Sequence, residues 1–222
     1  MNTLAVIHTS MVFVNTEPMM QNLFNELIPH VRVINIVDDS LLPDVMEAGQ
    51  VTPNVTSRLC DYLVAAEKTG ADAILSVCSS VGPAIDTART RVSIPVIKID
   101  DAMAKRAAES AQNIGVMATL ETTMAPTVQL IREKADAADK AVVVTPGLLA
   151  GAFEKLMSGD KAAHDRMILD SARELAKSVD ILVFAQASMA RLAGEAAMAT
   201  GKEVLTSPRL GISYVKSVLD GG

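Results

Sequence analysis

The chain has 222 residues, half of them hydrophobic, and a formal net charge of −6, so it can bury the core of one large domain or of two small ones. The acidic balance and the small aromatic complement, four phenylalanines and two tyrosines, exclude the basic, aromatic-studded face with which proteins usually meet nucleic acid. No apolar run approaches the ~18 uncharged residues of a membrane span.

In chain order, Met1-Asn2-Thr3-Leu4 carries no basic segment and the apolar stretch after it is broken at His8. No signal peptide is therefore expected, and the expected location is cytoplasmic. Strands are expected near Leu4–Ile7, Val31–Val37, Ala73–Val77, Ile94–Ile99, Ile114–Ala118, Ala141–Val144, Ile181–Ala185 and Glu203–Thr206. Longer helical patterns separate them, which is the signature of α/β architecture with a mainly parallel sheet. One helix is predicted to start with Thr52 as cap and Pro53 in its first turn, to bury Val55, Leu59, Tyr62 and Ala66, and to stop before Gly70. Another is predicted from Asp160, presenting Met167, Ile168, Leu175 and Val179. Cys60 and Cys78 are too few for a disulfide framework and read as free thiols.

The chain also repeats itself. Asp72-Ala-Ile-Leu-Ser-Val-Cys78-Ser-Ser-Val81 aligns without a gap on Asp180-Ile-Leu-Val-Phe-Ala-Gln186-Ala-Ser-Met189. In each, an Asp precedes an apolar strand, a polar residue follows six positions later, and Ser80 or Ser188 stands two beyond it. Val6-Ile7-His8-Thr9 aligns on Val116-Met117-Ala118-Thr119, Leu41-Leu42 on Leu148-Leu149, and Val96-Ile97 on Val204-Leu205, at offsets of 107 to 110 residues. The pattern predicts two pseudo-symmetric, Rossmann-like α/β lobes, each with a mainly parallel four-stranded sheet. Residues 1–99 plus 207–222 would form the first and 100–206 the second. Open parallel sheets bind ligands beyond the carboxyl ends of their strands, so the active site is expected in a cleft between the two sets of strand tips.

Those tips carry the candidate chemistry. Cys78 follows a buried strand and is expected to open a helix, whose free N–H groups and dipole would favour the thiolate. A thiolate can take a proton from carbon or attack an electrophile. The hydroxyls of Ser79 and Ser80 could bind a carboxylate or a developing enediolate. Thr119, Thr122 and Thr123 stand after the matching strand of the second half, as helix caps or as ligand contacts. His8, in His8-Thr9-Ser10, can exchange a proton near neutral pH or be a hydrogen-bonded turn residue. Asp38-Asp39 and Asp100-Asp101 each follow a strand and read as paired acids or as turn and cap residues; Arg209 reads as a surface arginine within reach of a carboxylate, and His30 and His164 as solvated positions beside helix ends. There is no metal-ligand spacing, no phosphate-binding glycine loop and no nucleophile elbow, and no cofactor is expected.

At these residues the chain resembles the aspartate/glutamate racemase superfamily, which includes hydantoin racemases, maleate isomerases and arylmalonate decarboxylases. The resemblance spans nearly the whole chain and rests on three stretches. They are the strand followed by Cys78-Ser79-Ser80, Ile114-Gly-Val-Met-Ala-Thr119, and Ala185-Gln-Ala-Ser-Met-Ala-Arg-Leu192. It implies two pseudo-symmetric lobes with the substrate between them, and two cysteines that exchange the α-proton on opposite faces. Here Gln186 stands where the second cysteine is usual, and a glutamine cannot act as a base, although its amide can donate hydrogen bonds. The first tip reads His8-Thr9-Ser10 where glutamate racemases tend to carry Asp-Ser, which argues against glutamate as substrate.

The expectation is a cofactor-independent isomerase, a racemase or epimerase acting on a small amino or hydroxy acid. Cys78 would be base and His8 a second acid/base group. Ser10, Ser79, Ser80, Thr119, Thr122, Gln186 and Ser188 would contact the substrate. One-sided decarboxylation, a lyase reaction, needs a single thiol and is the alternative. A non-catalytic small-carboxylate binding protein is the alternative of another class. A homodimer is expected as the commonest assembly of soluble proteins.

Overall fold

The computed structural model describes residues 1–11 and 18–221, and among them form two four-stranded sheets in which every paired strand is parallel. They belong to two compact units, one made of Met1–Ile99 and the segment from Pro208, the other of Asp100–Ser207. The first contains β1 (Thr3–His8), β2 (Arg32–Val37), β3 (Ala73–Ser76) and β4 (Val96–Lys98) in the order β2-β1-β3-β4. Its helices are α1 (Met19–Leu27), α2 (Leu41–Ala48), α3 (Pro53–Lys68) and α4 (Gly82–Ala88). The second contains β5 (Asn113–Ala118), β6 (Val143–Leu148), β7 (Ile181–Phe184) and β8 (Glu203–Thr206) in the order β6-β5-β7-β8. Its helices are α5 (Asp101–Ser110), α6 (Glu121–Ala137), α7 (Ala152–Met157), α8 (Lys161–Leu175) and α9 (Ala193–Thr200). The final helix, α10 (Ser207–Leu219), runs back into the first unit.

The alternation of side chains along β1 divides the first core. Ala5 and Ile7 face one layer with residues of α2, α3 and α4, while Leu4 and Val6 face the other with α1 and α10. Gly211 of α10 runs so close to β4 that a Cβ there would drive into the Ile99 backbone. In the second unit, Met117, Leu182 and Phe184 pack with α8 and α9.

The repeat is visible down to single hydrogen bonds. Leu4–Ile7 lie beside Ala73–Ser76 as Ile114–Met117 lie beside Ile181–Phe184, and Ile74 pairs with Val96 as Leu182 pairs with Val204. The aspartates that head the repeated motif set this register. Asp72 accepts the Thr3 N–H, and Asp180 the Asn113 N–H, both at 2.7 Å. Each returns its own N–H to the carbonyl of that same residue, at 2.8 and 2.7 Å.

Several local expectations change. Thr52 caps α3 by accepting the Val55 N–H, and the helix is followed by Gly70 at φ 79°, but Leu63 is fully buried where Tyr62 was expected. Tyr62 instead sends its hydroxyl to Asp38 at 2.6 Å. Asp160 caps α8 as expected, yet the helix ends at Leu175, so Val179 lies in the segment before β7. The strand expected at Ala141–Val144 is Val143–Leu148 and continues through Pro146. Proline is tolerated because β6 is an edge strand and need not donate outward. Val37 and Leu148 end the paired strands β2 and β6, so Leu41-Leu42, which opens α2, is not the counterpart of Leu148-Leu149. Among the described residues no helix is long and apolar enough to cross a membrane.

Candidate functional site

The two halves end their third strands in the same way. After β3, Val77 donates its N–H to the Ile7 carbonyl at 3.2 Å; after β7, Ala185 donates to that of Met117 at 2.9 Å. The next residues, Cys78 (φ −135°, ψ 114°) and Gln186 (φ −124°, ψ 138°), are both extended and both head a 3-10 turn, Ser79–Val81 and Ala187–Leu192. Cys78 and Gln186 are each half-buried, while Ser79, Ser80 and Ser188 in the turns are buried.

The atoms around the two tip residues also correspond. In the second unit the Thr119 N–H and hydroxyl both donate to Gln186 Oε1, at 2.5 and 2.9 Å. A backbone N–H can only donate, so the amide atom facing it must be the oxygen, and Gln186 turns its Nε2 donor away from Thr119. In the first unit the Thr9 and Ser80 hydroxyls and the N–H groups of Ser80 and Val81 lie near the Cys78 sulfur and favour its charged form, and the Val81 N–H donates to the Cys78 carbonyl at 3.4 Å. Thr9 was not singled out by its residue type, but its alignment on Thr119 was the available signal.

The electrostatics correct the expectation of an acidic thiol. Burial pushes the Cys78 thiol up, and the hydrogen bonds from Thr9, Ser80 and Val81 pull the other way without cancelling it. The expected helix dipole is weak here, because a three-residue 3-10 turn separates Cys78 from α4, itself only seven residues long.

His8 ends β1 and continues the side of Leu4 and Val6, whereas Cys78 packs against the opposite layer. Its Nε2 is 2.9 Å from Asn35 Oδ1, so the ring donates there, and Nδ1 is buried with no hydrogen-bond partner among the described residues. Burial pushes this imidazole down, toward the neutral form. Ser10 is half-buried beyond β1. In α6, Thr123 is buried, and the Thr122 hydroxyl oxygen is buried with no hydrogen-bond partner among the described residues.

The remaining candidates are held by structure. Burial would raise the Asp38 carboxyl, but hydrogen bonds from Tyr62, Arg58 and Ser40 outweigh it and hold it well below the usual carboxylate range. Asp101 pairs with Lys134 at 2.9 Å, and Asp100 is buried at the start of α5. Arg209 forms a two-pronged ion pair with Glu26, both contacts 2.7 Å, at the surface. His30 is exposed. His164, expected in solvent, is fully buried because it shares a helical face with Ile168 and Ala172, and its Nδ1 lies 2.9 Å from Asp165 Oδ1. Asp165 in turn binds Arg191 of the turn that follows Gln186. On β4, opposite Ser76 of β3, the buried Lys98 pairs with Asp86 of α4 at 2.7 Å. Among the described residues no three His, Cys, Asp or Glu side chains gather as a metal site.

A duplicated parallel α/β unit, with polar residues at corresponding strand tips, defines the class of protein. The chain belongs to the Asp/Glu/hydantoin racemase family, whose sequence profile matches residues 14–215. Membership supports a racemase or isomerase type of function. No curated protein matches the sequence. Among solved structures, glutamate racemase RacE1 from Bacillus anthracis has a TM-score of 0.76 at 14% identity, over 99% of this chain and 82% of that one. Allantoin racemase from Klebsiella pneumoniae has 0.68 at 15% identity, over 100% and 89%. A variant of arylmalonate decarboxylase in a sulfate-associated form has 0.62 at 14% identity, over 99% and 94%.

Proposed function

We propose that the chain is a cofactor-independent isomerase of the racemase type. It exchanges the proton beside the carboxylate of a small amino acid or hydroxy acid, with Cys78 as the base. The observation that carries this reading is the placing of Cys78 at the tip of β3, extended and heading a 3-10 turn, with the hydroxyls of Thr9 and Ser80 and the N–H groups of Ser80 and Val81 near its sulfur. Such a cradle serves an anion. The Cys78 thiolate takes the α-proton, forming S–H as C–H breaks, and the electron pair passes into the carboxylate as an enediolate. Donors suited to those oxygens are Ser79, Ser10, Thr122, Ser188 and the Gln186 Nε2, while Thr119 holds the Gln186 amide in place through its N–H and hydroxyl. Inversion needs a proton on the opposite face of the enediolate: water delivers it, and the Cys78 S–H then gives its proton to the hydroxide so formed, which regenerates the thiolate and the water. His8 is a poor source of the opposite-face proton, since its donor N–H is engaged by Asn35 and burial favours the neutral ring.

A second reading is favoured by Gln186, which carries no exchangeable acid at the position corresponding to Cys78. Proton delivery from one face, as in decarboxylation of a substituted malonate, needs only one thiol. Incubating the protein in D2O with amino acids, hydroxy acids and substituted malonates, followed by NMR, separates the two. Deuterium in both enantiomers supports racemisation, and carbon dioxide release with deuterium on one face supports decarboxylation. Binding without exchange by any of them would favour a small-carboxylate binding protein. Cys78→Ala is expected to lower turnover by about 10²–10⁴-fold, the usual contribution of a proton-transfer group.

A further inference from the structure

We infer that Thr9 is the positioning residue for Cys78: its buried hydroxyl donates to the sulfur and holds it ready as a proton acceptor. The inference rests on the reading of Cys78 as the base and adds a residue that its chemistry depends on.

Three observations converge on Thr9. The residue is 3% exposed and stands directly after β1, whose Ala5 and Ile7 belong to the layer against which Cys78 packs. Its carbonyl is fixed from the other side by the Leu42 N–H of α2, at 3.4 Å. The third is the repeat itself. Thr119, its counterpart, donates N–H and hydroxyl to the tip residue of its own half, at 2.5 and 2.9 Å. The fold therefore places a threonine hydroxyl against whatever stands at the third-strand tip, an amide oxygen in one half and a sulfur in the other. A neutral hydroxyl brings no charge into a buried site, yet a hydrogen bond to an ionised acceptor is about twice as strong as one between neutral groups. Its effect thus falls on the thiolate more than on the thiol, against the burial that disfavours the charge.

The test is the pH dependence of Cys78 alkylation by iodoacetamide, with Cys78 and Cys60 resolved by peptide mass. Thr9→Val keeps the shape and removes the donor. It should displace the Cys78 curve upward by about one pH unit, a roughly tenfold loss of rate below the midpoint. Thr9→Ser should return the curve, and Thr119→Val should leave it in place. A Thr9→Val curve that coincides with the wild type or moves downward overturns the inference, as does an equal displacement by Thr119→Val. Thr9→Ala reads the same displacement if Thr9→Val does not fold. Alkylation needs no substrate. A displaced curve with unchanged turnover would therefore uphold the Thr9–Cys78 coupling and remove Cys78 from the reaction.

Discussion

The two third-strand tips share a backbone but not a chemistry. Cys78 and Gln186 follow matching strands, each heads a 3-10 turn, of three and six residues, and each has a threonine of the neighbouring strand end beside it. One presents a group that can exchange a proton, the other an amide that cannot. Duplication has preserved the placement while the side chain has diverged, so the fold alone does not dictate the reaction. The anchoring of the two turns has diverged too. After Cys78, α4 is tied to the sheet by Asp86 and Lys98; after Gln186, the turn itself is tied to α8 by Arg191 and Asp165.

Three substitutions probe this contrast, from the largest effect to the smallest. Gln186→Glu keeps an oxygen toward Thr119 and replaces the Nε2 donor by a negative charge. KM for a carboxylate substrate should rise roughly tenfold or more, since a donor to a charged group is lost and repulsion added. An unchanged KM in steady-state kinetics would take Gln186 out of substrate binding. His8→Gln acts on stability. Burial holds the folded-state pKa of His8 below its ordinary value of 6.5, so the unfolded chain takes up the proton first as pH falls. The stability His8 contributes is complete above that value and is lost as pH drops through the folded pKa. Thermal melts at pH 5 and 7.5 should lie closer together in His8→Gln than in the wild type, and an equal gap would mean that His8 does not titrate in this way. Arg209→Ala removes one side of an exposed ion pair with Glu26 and should leave kcat and KM unchanged, because such pairs contribute little.

Much of this was legible in the sequence, and the limits have physical causes. The alternation of strands and helices and the repeat around Cys78 and Gln186 gave the architecture, because local apolar pattern and turn residues act over short distances. Register was harder. Leu41-Leu42 and Leu148-Leu149 look alike but occupy different elements, since one apolar pair resembles another until its partner strand is known. Burial of individual polar groups was hardest. The sequence points to a solvated His164, which is fully buried, and to an acidic Cys78 thiol, which burial pushes up. Both depend on what packs around the side chain from elsewhere in the chain. Thr9 is silent in the sequence because a threonine becomes informative only against its counterpart, Thr119.

The central claim is that proton exchange resides at one strand tip. Its most direct test compares Cys78→Ala and Gln186→Ala, each folded, in D2O with a substrate that the wild type turns over, following α-deuteration by NMR. The account predicts that Cys78→Ala loses exchange on every face while Gln186→Ala still exchanges. Continued exchange in Cys78→Ala would contradict it.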